Sequence, residues 1–104
     1  MNRVYNKLVR DNIPSIIEQG KATCSTRVLD DQEYLDALRS KLQEEMAEYL
    51  DSGDIEELVD LEEVLRAIID YKGISYQQFE HMRKSKASIR GAFHTRTYLL
   101  SVDD

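Results

Sequence analysis

The chain of 104 residues contains one cysteine, one proline, four glycines and no tryptophan. A solitary thiol, Cys24, cannot close an internal disulfide, so a disulfide-stapled scaffold is excluded and a reducing cytoplasm is the expected compartment. There is no internal repeat, no low-complexity stretch and no linker long enough to divide the chain, so residues 1–104 read as a single domain. No apolar run is long enough to cross a bilayer, and no membrane partner is expected. The opening Met1–Asp11, dotted with Arg3, Lys7, Arg10 and Asp11, lacks the pattern of a secretory leader. Bases are in the minority, 14 Lys and Arg against 20 Asp and Glu for a net charge of −6. A general nucleic-acid-binding surface is therefore not expected.

The charge that is present is unevenly spread. Asp30 to Glu63 holds fourteen acids opposed only by Arg39 and Lys41, a net of −12. His81 to Tyr98 holds Arg83, Lys84, Lys86, Arg90 and Arg96 with no acid, a net of +5. Two solvated faces of opposite sign are the plainest account of such runs. The pattern inside the acidic run asks for more.

Caps and breakers predict four helices. Pro14 opens a short helix over Ser15–Gln19, closed by Gly20. Asp30 with Glu33 forms a capping box for a helix running to about Leu50. Asp51-Ser52-Gly53-Asp54 reads as a turn, and Asp54 as the N-cap of a helix continuing to about Tyr71, with Gly73 beyond it. Ser75 with Gln78 caps a fourth helix reaching about Ile89, ended by Gly91. Lys21–Leu29 and Phe93–Val102 read as extended segments that pair in a short peripheral two-stranded element. The expected class is mainly all-α.

Helical periodicity then exposes an anomaly. At ~100° per residue, Leu35, Leu38, Leu42, Met46 and Tyr49 form one apolar stripe. Glu45 falls at its edge, Glu48 lies one turn on, and Glu44 points more nearly to water. On the next helix Glu57 lies inside the arc of Leu61, Val64, Leu65, Ile68 and Ile69, and Asp60 at its margin. Glu56, Glu63, Arg66 and Asp70 already supply a polar face, so the two misplaced acids need a cause. In a hairpin turning at Ser52-Gly53, residues equally far from the turn lie level. Glu48 then faces Glu57, and Glu45 faces Asp60.

Four ionised carboxylates in one patch repel by several kcal/mol per pair at ~4 Å and an effective dielectric near 20. Protons, buried bases or metal ions have to compensate. An all-oxygen donor set suits a hard cation, Mg²⁺ or Mn²⁺. His81 and His94 lack ligand-like partners, so zinc is not expected. Tyr34, Tyr49, Tyr71, Tyr76, Phe79 and Met82 read first as core or interface.

The same residues carry a resemblance. Lys41-Leu-Gln-Glu-Glu-Met-Ala-Glu48 followed by Glu57-Leu-Val-Asp60 resembles the EExxE…ExxD signature of the all-α nucleoside triphosphate pyrophosphatases, the MazG-like superfamily. Tyr5-Asn-Lys-Leu-Val-Arg-Asp-Asn-Ile-Pro14 is similar to the KLVRDKIP opening of a small phosphoribosyl-ATP-pyrophosphohydrolase-like subfamily. Arg83-Lys-Ser-Lys86 and Arg90-Gly-Ala-Phe93 resemble its basic ending. The resemblance implies that Glu45, Glu48, Glu57 and Asp60 are metal ligands, that Glu44 supports them, and that Lys7 and Arg10 contact phosphate. Asn12 stands where the subfamily usually has Lys, Ala92 replaces a Gly, and the interval from Glu48 to Glu57 is short.

The implied reaction cleaves a nucleotide between its α- and β-phosphates, giving a monophosphate and pyrophosphate with Mg²⁺, or Mn²⁺, as cofactor. Glu48 or Glu45 is the candidate for orienting water, with Glu57 not separable from them. Arg83, Lys86 and Arg90, in register on the fourth helix, are candidates for neutralising leaving pyrophosphate or, equally, for complementing the helix dipole. The expected role is nucleotide house-cleaning. The alternatives are phosphoribosyl-ATP hydrolysis and a non-catalytic helical dimerisation or regulatory module. A chain of this size that gives part of its seam to acids has a small core. Pairing of two hairpins into a four-helix core, hence a homodimer or higher homo-oligomer, is expected.

Overall fold

In a computed structural model, which describes residues 2–104, the chain forms α1 (Ile13–Gln19), α2 (Asp31–Ser52), α3 (Ile55–Tyr71) and α4 (Tyr76–Arg90). α2 and α4 each begin at a residue whose side chain replaces a missing backbone partner. Asp30 Oδ1 accepts the Glu33 N–H at 2.8 Å, and Glu33 Oε1 accepts the Asp30 N–H at 3.1 Å. Ser75 and Gln78 exchange the same pair of bonds at the head of α4. Such caps are worth ~1 kcal/mol each. Arg27 grips both oxygens of Glu33, Nη1 donating to Oε1 at 3.1 Å and Nη2 to Oε2 at 2.8 Å. That grip, with the Asp30 N–H, holds the Glu33 carboxyl down at about 2.

The turn between α2 and α3 is tighter than its sequence suggests. Asp51 and Ser52 remain helical, and only Gly53 and Asp54 connect the helices. Gly53 takes a left-handed φ of 70° and donates its N–H to the Tyr49 carbonyl at 2.7 Å. Asp54 occupies the N-cap position of α3, but its side chain makes no capping bond. Instead its own N–H is held by Ser52 Oγ at 3.1 Å. α1 also starts earlier than the proline implied, at Ile13, with Pro14 within its first turn.

From that turn the two helices return side by side, and α2 against α3 is the main packing of the chain. At the far end Tyr34 meets Tyr71 edge-on, with centroids 5.8 Å apart and planes at 66°. The Tyr71 hydroxyl donates to the Asp31 carbonyl at 3.2 Å, clipping the end of α3 to the start of α2. α4 is attached more lightly. The Tyr76 hydroxyl donates to Glu62 at 2.6 Å, the Arg66 guanidinium lies 3.7 Å above the Tyr76 ring, and Phe79 stacks on Tyr76.

The expected two-stranded element is absent: among the described residues there is no strand. Lys21–Leu29 and Phe93–Val102 run irregularly and mostly in solvent. Two strands alone are marginal in water, and β-propensity expresses itself only where a sheet face can be buried. Phe93, 96% exposed, has no such face within the chain. Nor is any helix among the described residues long and apolar enough to cross a membrane.

The buried core is small, comprising Leu38, Val64 and Ile69. The accessible surface of 9672 Å² compares with about 6000 Å² for a compact monomer of this mass. The radius of gyration, 18.7 Å, likewise exceeds the ~13 Å of a compact chain of this length.

The hairpin turn generates a stability prediction. A Cβ at Gly53 meets nothing within 4 Å, so the cost of a substitution there is purely conformational. Gly53→Ala is expected to lower the unfolding free energy by ~1–2 kcal/mol, read from urea midpoints. Gly53→Asn is expected to lose less. Equal loss in both variants would show that the left-handed backbone is not what Gly53 supplies.

Candidate metal centre

Glu45 is placed at the seam by the apolar residues on either side of it. Leu38 two turns earlier is only 2% exposed, and Val64 on α3 is 8% exposed. As they bury, Glu45 follows them, and only 6% of its surface remains accessible. Its Oε2 is buried with no hydrogen-bond partner. Its Oε1 has the Lys41 ammonium at 3.6 Å, farther than a hydrogen bond. An unsatisfied buried acceptor costs ~1–3 kcal/mol, and more when charged.

Register brings two further acids to this residue. One oxygen each of Glu45, Glu57 and Asp60 can be drawn from α2 and α3 so that all three lie within 4.8 Å of one another. Glu57 and Asp60 are half-buried. Glu48, the fourth expected ligand, is exposed and stands outside this set. It is still close enough to disturb both of its neighbours. The Glu45 carboxyl is raised above its ordinary value by burial first and then by Glu48, with Asp60 adding and Lys41 opposing. Glu57 is raised by its loss of solvent, then by Glu48 and Asp60.

The bases around the cluster come from two places. Lys41 bridges Glu44 at 3.5 Å and Glu45 at 3.6 Å from within α2. Lys7 pairs with Glu44 at 3.0 Å, and Arg10 Nη2 with Asp60 Oδ1 at 2.7 Å, both reaching over from the segment before α1. The Lys7 contact is the first cause of a lowered Glu44 pKa. These two outer pairs are partly exposed, and such pairs contribute ~0–1 kcal/mol. Between the N-terminal segment and the hairpin lies a cleft of about 580 Å³, with Leu8, Arg10 and Ile13 on one wall and Leu38, Glu45 and Asp60 on the other.

Of the expected site residues, Glu45, Glu57 and Asp60 converge, Glu48 flanks them, and Glu44, Lys7 and Arg10 form an outer ring of ion pairs. The α4 bases are placed differently. Arg83 is engaged by Glu80 on its own helix, while Lys86 and Arg90 are exposed. Among the described residues no ion pair links the three to the acid cluster. Lys41 is the member that sequence reasoning undervalued. Its i, i+3 and i, i+4 spacing to Glu44 and Glu45 is the signal that marks it.

The donor set fits a hard divalent cation. All ligand atoms are carboxylate oxygens, and the buried Oε2 of Glu45 is an acceptor that no protein donor satisfies. Glu45, Glu57 and Asp60 are the side chains that would hold such a cation. No family model, curated protein or solved structure matches the chain.

The raised Glu45 pKa sets a pH dependence. A carboxyl whose value is higher folded than unfolded binds its proton more tightly in the fold, so its contribution to stability declines as pH rises above the ordinary 4.5. A bound cation removes that penalty. The rise in Tm on adding Mn²⁺ is expected to be small near pH ~5 and larger near pH ~7. Glu45→Gln is expected to raise Tm in EDTA at the higher pH and to abolish the Mn²⁺ increment. An increment of the same size in Glu45→Gln would remove this carboxylate from the centre.

Proposed function

We propose that the chain is a Mg²⁺-dependent nucleoside triphosphate pyrophosphohydrolase of the MazG-like, all-α type. It would cleave the α–β phosphoanhydride to a monophosphate and pyrophosphate, in nucleotide house-cleaning. The observation that carries this reading is Glu45, which keeps a buried, unpartnered Oε2 and is gathered as a residue with Glu57 and Asp60 across two helices. The sequence resemblance supplies the reaction type.

Glu45, Glu57 and Asp60 would hold the cation, with Glu48 at the rim. When bound, Mg²⁺ supplies polarisation of phosphoryl oxygens and a bound water of lowered pKa. Glu48 is exposed beside Glu45 and Glu57, where a carboxylate can accept a proton from water. Arg10 on the cleft wall and Lys7 paired with Glu44 carry donors suited to phosphate oxygens. Ile13 on one wall of the cleft and Leu38 on the other offer apolar surface beside the charged groups.

Two hairpins packed into a four-helix core belong to the same reading. Its support is the surplus of accessible surface, with Leu50, Ile55, Val59 and Met82 all largely exposed. The same surplus favours a second reading, a non-catalytic helical interaction module. Calorimetry separates the two, because the enzyme binds nucleotide together with Mg²⁺ and the module does not.

Pyrophosphate release from a panel of nucleoside triphosphates is expected to require Mg²⁺ or Mn²⁺. Glu45→Gln combined with Asp60→Asn is expected to reduce it by at least ~100-fold. Normal metal-dependent turnover in that variant would refute the site. Light scattering is expected to give a dimer or larger; a monomer would count against the four-helix core.

A further inference from the structure

Residues 2–12 precede α1 without regular structure, and their side chains reach the acidic end of the hairpin. Lys7 and Arg10 are one helical turn apart in number but are not on a helix, so nothing local accounts for their alignment. Each finds an acid on a different helix, Glu44 on α2 and Asp60 on α3. The segment therefore bridges the two helices at the point where their carboxylates converge.

We propose that this segment is a counter-ion strap. Arg10 neutralises Asp60, and Lys7 neutralises Glu44 next to Glu45, until a divalent cation held by Glu45, Glu57 and Asp60 displaces the first base and repels the second; the released side chains then pair with the anionic ligand that accompanies the cation. The inference rests on the metal-binding reading of the cluster and adds a coupling between cation loading and ligand capture.

Three features carry it. First, Arg10 is bound to Asp60 Oδ1 at 2.7 Å, and Asp60 is one of the three convergent acids. A guanidinium and a divalent cation on one carboxylate repel each other, so the two compete. Second, both pairs are partly exposed and so exchange readily with solvent and ions. Third, the neighbouring base Lys41 is rooted in α2 and only 20% exposed at its side chain, so it stays while the strap moves. Fixed and movable bases thus occupy the same acidic cluster. An anion arriving with the cation restores to Lys7 and Arg10 the charge partners they lose.

The test measures two affinities on the full chain by calorimetry: Mn²⁺ alone, and inorganic pyrophosphate in saturating Mg²⁺. Lys7→Gln combined with Arg10→Gln is expected to bind Mn²⁺ at least fivefold more tightly and Mg²⁺-pyrophosphate at least fivefold more weakly. Opposite signs are the signature, because a merely structural role moves both affinities together. Arg3→Gln removes the same charge from the same segment without touching an ion pair, and is expected to leave both within twofold. If the wild type binds Mn²⁺ but the double variant shifts neither affinity, or shifts both in one direction, the strap is overturned and the metal centre stands. A response to Arg3→Gln equal to that of the strap variants also overturns it, since net charge alone then suffices. Absence of Mn²⁺ binding in every protein removes the metal centre itself.

Discussion

A carboxylate in the apolar seam of a helical hairpin governs the arrangement of this chain. Glu45 is carried inward by Leu38 and its neighbours, and the packing that buries those residues strips the acid of water. The fold then has to compensate for the charge. It does so with bases from two directions, Lys41 within α2 and Lys7 and Arg10 across the outer carboxylates, while Glu57 and Asp60 add to the charge to be balanced. An apolar residue at this position would pack better. The hairpin carries a local cost at Glu45, and such costs concentrate where proteins bind or react.

Rigidity at the site comes from the opposite end of the hairpin as much as from the turn. Gly53 closes the connection, while Tyr34 and Tyr71 pin the distant ends together. With both ends fixed, a slide of α2 along α3 by one turn would separate Glu45 from Asp60. The site depends on register, and the tyrosine clip and the glycine turn are what hold it. The remaining elements are held less firmly. α4 hangs from α3 through Tyr76, and the last residues touch little of the chain. Leu99, Leu100 and Phe93 there are largely exposed.

Much of the fold was legible because it is written in local chemistry. Capping boxes at Asp30 and Ser75, and the left-handed glycine at 53, act within a few residues and marked the helix boundaries to within a residue or two. The paired strands misled because Thr and Val in Lys21–Leu29 and alternation in Phe93–Val102 express a preference that needs a sheet to satisfy it. No sheet exists among the described residues. The tight turn was also misjudged: Asp51 and Ser52 look like turn residues, yet the helix holds them because Gly53 alone can reverse the chain.

What the sequence by itself determined is the hairpin register and the anomaly within it. Helical periodicity fixes which residues share a face, and equal distance from one turn fixes which of them lie level, so Glu48 could be paired with Glu57 and Glu45 with Asp60 on paper. Only the tertiary structure decided that Glu48 stands at the rim, that Glu45 keeps a bare buried oxygen, and that Lys7 and Arg10 arrive from far along the chain. Burial and long-range charge pairing depend on how surfaces close over one another, and no periodicity within a single helix encodes that.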